Sequence, residues 1–428
     1  MKIFSKMLLI QRYLPIHLEK YSKDMKEMIM NVIQTIQTMY YTVLLYLSAF
    51  VTLMTPGTII WRLFGNRKGK VSLMNRDLIC DSETLIKLPK CSKPLDQFTN
   101  ALCPFLPTFL LDNDSNWKQR RQVFSFGNDL INERIFQIPF NFQLLDKQGN
   151  ILWDIFEMIS KYSFQLVFNR YPTENEFNQI YPGLLDINKI IKRFTSKPDV
   201  QIRQSFYDEI LKLIQQNDKD FLFHHCEDFF QMTEIHQVSS VAEDFLTTIS
   251  VQCTDLVCHM LLLYSEHSED FQYNFDNALH ETLRLYPLTD LWLRQPYENQ
   301  RGWITSLVQL NRNGWSQPDT FCSERWNLPK HPPLMSWGFD IRRCPAQKLA
   351  TNVSKLVFQT IVNQERFWIQ PAANFQHERT FPYGCQVWIG HGEKPKNVHR
   401  WKFENKLRMQ LRRWACEKLR MIDQNELN

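Results

Sequence analysis

The segment SWGFDIRRCPAQKLA, residues 336–350, is the stretch of sequence that decides the fold. A loop with one glycine and two arginines leads to Cys344, and Pro345 follows directly. Because proline is favoured in the first turn of a helix, a helix is expected to begin at Pro345 and to run to about Gln359. The sulfur of Cys344 would lie at the positive end of the helix dipole, beside free backbone N–H groups, which lowers the pKa of a thiol. The alternative is a buried structural cysteine followed by a proline turn.

Two charged clusters precede this loop in the chain. In ETLRLYP, residues 281–287, Glu281 and Arg284 are three positions apart, so on a helix they share a face and can form a bidentate ion pair. In CSERW, residues 322–326, Arg325 is placed to join that pair as a third charge. Taken alone, the first segment is better explained as an ordinary surface ion pair, and the alternative for the second is an exposed turn.

In this order, with the cysteine loop last, the three segments resemble the signatures of the cytochrome P450 family. Those signatures are a Glu-x-x-Arg helix, a Pro-Glu-Arg-Phe/Trp-like turn and a Phe-x-x-Gly-x-Arg-x-Cys-x-Gly loop. The resemblance covers roughly residues 58–390 and is strongest over residues 281–350. It implies a mainly α fold with small β-sheets, in which haem lies between a long central helix and the helix that follows the cysteine.

The resemblance also implies a role for individual residues. The cofactor would be haem b, iron protoporphyrin IX, with Cys344 as the axial ligand of the iron. Glu281, Arg284 and Arg325 would form a structural triad beneath the haem. The residues that would bind the haem propionates are Trp117 and Arg121 in WKQRR, Arg294 in LWLRQ, and Arg342 in the cysteine loop.

The central helix carries the oxygen chemistry in this family. The best match to the family's acid–threonine pair is SVQCTD, residues 250–255, with Thr254 as the catalytic threonine. Cys253 stands where the acid is expected and Val251 where a glycine is expected, while Asp255 is one residue away, about 100° round an α-helix. The alternative for Thr254 is a hydroxyl that bonds its own helix backbone.

Three functional hypotheses follow from the resemblance. The first is a haem-dependent monooxygenase, which oxidises a hydrophobic organic substrate with O2 and with electrons from NAD(P)H, delivered by a flavoprotein or ferredoxin-type partner. Cys253 and Val251 favour the second, a haem-thiolate isomerase, dehydratase or peroxygenase. Asp340, which stands where the family's loop has a glycine, and segments that are short for the family favour the third, a degenerate haem-binding or membrane-associated protein without catalysis. The loop also has Ala346 in place of a second glycine and Trp337 in place of the usual phenylalanine.

Composition sets wider limits. A chain of 428 residues with 44% hydrophobic residues can bury a large core, and only 12 glycines argue against a repetitive β architecture. The ten cysteines form no CxxC pair, which argues against structural zinc. The first 30 residues show no basic-then-apolar secretory pattern, so we expect reduced thiols in an intracellular protein, either cytoplasmic or membrane-associated. Residues 394–420 carry ten Lys or Arg against two acids, a net charge of +8, which leaves −3 for the rest of the chain. The basic charge therefore belongs to the tail and gives no support to nucleic-acid binding.

These patterns divide the chain into three parts: an N-terminal segment (1–57), a haem-thiolate catalytic domain (58–392) and a basic C-terminal extension (393–428). Residues 28–61 carry no charge, and both a buried core helix and a membrane-embedded or membrane-lying segment remain open for them. In the extension, an apolar residue recurs at helical spacing among basic ones, typical of an amphipathic helix. Such a helix packs on the protein, lies on an anionic membrane, or docks an acidic redox partner.

The hydrophobic pattern also places elements. It predicts two short strands and a helix over residues 68–88, and a helix over residues 115–125. Residues 238–267 contain neither proline nor glycine and have apolar residues at helical spacing, which predicts a long central helix. A helix over residues 269–286 and one strand over residues 303–310 complete the prediction.

Overall fold

The computed structural model describes fourteen ranges of the chain: residues 60–61, 64–73, 76–88, 93–94, 114–140, 149–150, 152–192, 198–216, 218–289, 291–295, 302–338, 343–363, 367–371 and 387–391. The predicted N-terminal segment (1–57) and basic extension (393–428) lie outside the described residues. Arg342 and Asp340 lie outside them as well.

Two small β-sheets flank the helices. Their strands are β1 (Lys70–Leu73), β2 (Arg76–Ile79), β3 (Lys93–Pro94), β4 (Gly149–Asn150), β5 (Leu291–Gln295), β6 (Gly302–Ser306), β7 (Phe367–Pro371) and β8 (Val387–His391). The first sheet has the order β1-β2-β6-β5-β3 and the second has the order β4-β8-β7. Among the described strands, only β2 and β6 pair in parallel, and all other pairs are antiparallel.

Most of the described chain is helical. The helices are α1 (Ser82–Ile86), α2 (Asp114–Gln137), α3 (Leu152–Phe168), α4 (Glu174–Lys192), α5 (Val200–Gln216), α6 (Glu227–Phe230), α7 (Glu234–Tyr264), α8 (Ser268–Tyr273), α9 (Phe275–Leu285), α10 (Leu307–Arg312) and α11 (Gln347–Val362), with a 3₁₀ turn at Ser323–Asn327. We refer to α7 as the central helix. Its side chains form the middle of a core that also includes apolar residues of α2, α3, α5, α9 and α11.

The predicted elements are confirmed, with differences in their bounds. The helix expected over residues 115–125 continues to Gln137. The helix expected over residues 269–286 is two helices, because the backbone leaves helical geometry at Asn274 (φ −146°, ψ 59°). The strand expected over residues 303–310 ends at Ser306, whose side chain accepts a hydrogen bond from the Gln309 amide and so caps α10.

The central helix is buried and partly π-helical. Ser240–Thr247 and Ile249–Cys253 have π geometry, and the hydroxyls of Thr247 and Thr248 donate to carbonyls five residues back, at 2.7 and 2.9 Å. Among the described residues this is the one helix long and apolar enough to cross a membrane, but 89% of that stretch is buried inside the protein. It therefore behaves as the core helix around which the other helices pack.

Helices α2 and α11 contact each other, and both contact the central helix. Asn128 of α2 donates from its side chain to the Pro345 carbonyl at 2.9 Å, directly before α11. Asn352 of α11 donates to Asn132 of α2 at 2.9 Å. These hydrogen bonds fix the loop of Cys344 and the helix that follows it against α2.

Candidate functional site

Cys344 lies between the loop and α11. Its backbone N–H donates to the Trp337 carbonyl at 2.7 Å, which closes the loop, and its sulfur accepts a hydrogen bond from the Ala346 N–H. The helix begins at Gln347 rather than at Pro345, because residues 345–346 form a turn first. The sulfur therefore still receives a backbone donor at the start of a helix, as expected from the sequence.

The predicted lowering of the Cys344 pKa is wrong. Burial raises the pKa of this thiol, and it outweighs the Ala346 N–H and the charges of Arg121 and Arg343, which act in the opposite direction. Desolvation penalises the charged thiolate more than one backbone donor and two partly solvated guanidinium groups stabilise it. A metal cation bound to the sulfur would supply the missing compensation, because a coordinated thiol is deprotonated outright.

Of the four residues expected to bind propionates, the structure locates one side chain. Both terminal nitrogens of Arg121 lie near the Arg343 carbonyl, at 3.3 and 3.4 Å, so α2 brings this cation to the cysteine loop. Trp117 lies one turn earlier in α2 and Arg294 lies in β5, where it pairs with Trp303. The side chains of Trp117 and Arg294, like the whole of Arg342, lie outside what the structure describes.

The predicted triad is assembled in the structure: Glu281 contacts both Arg284 and Arg325. We call these three residues the Glu281 clamp. Arg284 donates to both carboxylate oxygens of Glu281, from Nε and Nη2, each at 2.8 Å, and both side chains are fully buried. The Nε atom of Arg325 lies 3.2 Å from Oε1 of Glu281. The separate alternatives of a surface ion pair and an exposed turn therefore do not describe these residues.

Sequence reasoning missed the neutral partners of this clamp. The Glu281 carboxylate also accepts from the Cys322 backbone N–H at 3.0 Å and from Nε1 of Trp326 at 3.1 Å. Both arginines donate to the Thr320 carbonyl, at 3.1 Å for Arg284 and 3.0 Å for Arg325. The indole of CSERW was visible in the sequence as a possible donor, whereas backbone contacts carry no sequence signal.

Asn311 is a second residue that the sequence did not indicate. The side-chain carbonyl of Asn311 accepts from the Met335 N–H at 2.7 Å, and its side-chain amide donates to the Ser336 hydroxyl at 2.6 Å. Ser336 in turn donates to the Leu283 carbonyl at 2.7 Å. Through these bonds α9, which carries Glu281, holds the start of the cysteine loop.

The central helix lies beside the cysteine loop. Ile249–Cys253 contacts α11, and Cys344 is close enough to contribute to the raised pKa of Cys253, which burial brings to about 12. The Thr254 hydroxyl donates to the Ser250 carbonyl at 2.6 Å, and this residue is only 2% exposed. Because Ile249–Cys253 is π-helical, α-helical spacing does not locate the side chains near Thr254.

The residues at this site fit a haem. A sulfur with a backbone donor supplies the ligand that iron takes from cysteine, and Arg121 supplies a cation for a carboxylate. The indole N–H of Trp337 is buried and has no hydrogen-bond partner in the described part of the chain, which leaves a donor for a polar group. On the central helix, Thr248 and Gln252 are partly exposed within an otherwise buried stretch.

Comparison with known proteins is informative at the level of structure alone. No model of a known protein family matches the chain, and a search of curated protein sequences finds no significant match. Solved structures do match, and three of them illustrate the TM-scores and sequence identities of these matches. The first, a six-coordinated cytochrome P450 from Thermus thermophilus, aligns with a TM-score of 0.54 at 15% identity, over 78% of this chain and 98% of its own.

The second, P450BioI in complex with acyl carrier protein ligated to hexadec-9Z-enoic acid, has a TM-score of 0.54 at 14% identity and covers 76% of this chain and 94% of its own. The third, cytochrome P450EX alpha with myristic acid, has a TM-score of 0.57 at 12% identity and covers 78% and 97%. The chain therefore has the cytochrome P450 fold, and the predicted mainly α class with small β-sheets is confirmed.

Proposed function

We propose that this chain is a haem-thiolate oxidoreductase that binds haem b through the sulfur of Cys344. The observation that carries the proposal is the placement of this thiol. It lies at the start of α11, bonded by the Ala346 N–H, and next to the central helix of a cytochrome P450 fold. The Glu281 clamp supports the same interpretation, since it joins α9 to the chain that leads to the loop.

A haem iron held by a thiolate supplies the activation of dioxygen or peroxide for oxygen transfer. The residues of this chain would hold and orient that group. Cys344 would be the ligand, while Arg121 with Trp117, Arg294 and Arg342 would bind the two propionates. The Glu281 clamp would keep α9 and the segment before the cysteine loop in fixed register.

The reaction that we propose is monooxygenation of a hydrophobic organic substrate, with electrons from NAD(P)H through a flavoprotein or ferredoxin-type donor. Two of the matching structures contain long-chain fatty acids, hexadec-9Z-enoic acid and myristic acid, which supports an apolar substrate. The protein would act inside the cell, in the cytoplasm or at a membrane.

One observation favours a second candidate reaction, that of a peroxide-using enzyme. The Thr254 hydroxyl is bonded within its own helix, and the position before it is a buried thiol with a raised pKa instead of an acid. A proton relay from this pair to the iron would have to break an internal hydrogen bond. A peroxide already carries the two electrons and two protons by which it differs from dioxygen, so it would need neither a redox partner nor delivery of those protons by this pair.

The carbon-monoxide difference spectrum of the reduced protein tests the ligand. We expect a Soret band at the position typical of thiolate ligation, and we expect Cys344→Ser to lose it. The control is Cys322→Ser, since this cysteine is also partly exposed but contacts the Glu281 clamp through its backbone. An unchanged spectrum in Cys344→Ser would show that another residue ligates the iron.

Turnover distinguishes the three hypotheses. Oxygenated product formed with NAD(P)H and a surrogate redox partner supports the monooxygenase. Product formed with hydrogen peroxide but not with the redox partner supports the peroxide-using enzyme. A haem-thiolate spectrum without turnover under either condition supports the non-catalytic haem-binding protein.

A further inference from the structure

The central helix has one face that is partly exposed, and we call it the open face. From Val238 to Leu263 every residue is buried apart from Thr248 and Gln252, which are partly exposed. The two residues are four positions apart, so they lie on the same face of the helix. A buried helix with two partly exposed neighbours at its middle borders an open space within the protein.

The contacts of the helix locate this open face. The hydroxyl of Ser250 lies 3.1 Å from that of Ser163, so Ser250 faces α3. Thr248 lies two residues before Ser250 and Gln252 two residues after it, which places both on the opposite side of the helix, away from α3.

Other sides of the central helix are occupied. Glu243 accepts from Tyr207 of α5 at 2.7 Å, which marks an occupied side, while Asp244, one turn before Thr248 on the same row of side chains, accepts from Arg120 of α2 at 2.7 Å. The segment Ile249–Cys253, which includes Gln252, contacts α11. The open face is thus at the level of the cysteine loop, where the proposed haem lies.

The hydroxyl groups near this face are already bonded to the helix backbone. Each donates to a carbonyl of the preceding turn: Thr247 at 2.7 Å, Thr248 at 2.9 Å, Ser250 at 2.6 Å and Thr254 at 2.6 Å. The side-chain amide of Gln252, in contrast, forms no hydrogen bond to any residue in the described ranges. Of the polar side chains at this level, Gln252 keeps its donor for another molecule.

We propose that Gln252, and not Thr254, is the hydrogen-bond donor to a small ligand on the side of the haem iron opposite Cys344. This inference rests on the proposed haem-thiolate function. The amide has two N–H donors and a reach longer than that of a threonine hydroxyl, and no internal bond has to be broken before it donates. Thr248 lines the same face through its methyl group, because its hydroxyl is used within the helix.

Infrared spectroscopy of the carbon-monoxide complex of the full-length protein tests this assignment. A donor that contacts the bound carbon monoxide lowers the C–O stretching frequency, so Gln252→Leu is expected to raise that frequency. Gln252→Glu keeps the size of the side chain and replaces the donor by an acceptor, and it is expected to raise the frequency too. Gln252→Glu therefore provides the same test if Gln252→Leu does not fold.

Two matched variants complete the experiment. Ser250→Ala, on the face toward α3, and Thr254→Val, at the position first expected to be catalytic, are both expected to leave the stretching frequency unchanged. A shift in Thr254→Val with none in the two Gln252 variants overturns the inference. Absence of a haem-thiolate spectrum in the wild-type protein would overturn the proposed function as well, whereas a normal spectrum with an unmoved frequency overturns only the role of Gln252.

Discussion

At the scale of single residues, the Glu281 carboxylate is a buried charge with several bonding partners. It accepts from Arg284, a backbone amide and an indole, it lies 3.2 Å from Nε of Arg325, and it is fully buried. Arg284 and Arg325 together carry one positive charge more than Glu281 neutralises, and backbone carbonyls at Pro318 and Thr320 accept their remaining donors. The clamp is stable because the guanidinium N–H groups of both arginines donate to carboxylate or carbonyl oxygens.

Replacing Glu281 by Gln is expected to lower the free energy of unfolding by about 3–5 kcal/mol, since it leaves two buried guanidinium groups without a counter-charge. The measurement is urea-induced unfolding followed by circular dichroism. The control is Glu83→Gln, because Glu83 forms an exposed ion pair with Lys87 at 2.9 Å. That control is expected to leave the free energy of unfolding almost unchanged, because solvent screens an exposed ion pair. Equal losses in both variants would contradict the structural role of Glu281.

At the scale of elements, α4 begins with a reciprocal cap. The Thr173 N–H donates to the Glu176 carboxylate at 2.7 Å, and the Glu176 N–H donates to the Thr173 hydroxyl at 3.3 Å. Arg170 adds a bidentate pair to the same carboxylate at 2.6 and 2.8 Å. These donors lower the pKa of Glu176 from 4.5 to about 2, with the Arg170 hydrogen bond as the largest cause.

This depressed pKa predicts a pH dependence. The stabilisation is fully present above pH 4.5, the value of the unfolded chain, and is lost as the pH falls from there toward 2. Glu176→Gln should therefore cost about 1–2 kcal/mol at pH 7 and progressively less below pH 4.5. Urea midpoints at about pH 7 and about pH 3.5, on either side of the unfolded pKa, measure the difference. Glu174→Gln, in the same turn, is the control, and a cost for Glu176→Gln that does not change with pH would contradict the account.

The central helix departs from what an apolar sequence of this length predicts. A run without proline or glycine predicts a continuous α-helix, and much of the run has π geometry instead. Thr247 and Thr248 donate to carbonyls five residues back, which satisfies acceptors within the wider turn. The change of helix type rotates the side chains within this stretch relative to an α-helix. The match to the family's motif pointed to Thr254, whereas the partly exposed face of the helix presents Gln252.

At the scale of the whole molecule, α2, the central helix and α11 must approach closely to surround the cysteine loop. At Gly127, helix α2 packs against aromatic side chains of the core. A Cβ at this position would lie 2.6 Å from the ring of Phe245 and 3.0 Å from that of Phe223. The absence of a side chain therefore lets α2 pack directly on these aromatic residues.

Gly127→Ala is accordingly expected to lower the free energy of unfolding by about 1–3 kcal/mol through overpacking, although alanine favours a helix. Thermal unfolding measures the change. Ser125→Ala, on an exposed position of the same helix, serves as the control for helix propensity and should be neutral or slightly stabilising. Adding Phe245→Leu to Gly127→Ala should recover part of the loss, and a loss that is the same without the ring would contradict steric overlap as its cause.

The sequence by itself determined the local parts of this protein. The order of ETLRLYP, CSERW and the cysteine loop predicted a cytochrome P450 fold, and the hydrophobic pattern predicted the central helix, because spacing along one helix or loop is written in neighbouring residues. Tertiary structure alone decided which groups meet and how they are solvated. Burial raised the pKa of Cys344, although the Ala346 N–H and two nearby arginines act to lower it. The sequence could not show this, since desolvation depends on every element packed around the thiol. Packing likewise left Gln252 on the open face of a helix that is otherwise enclosed.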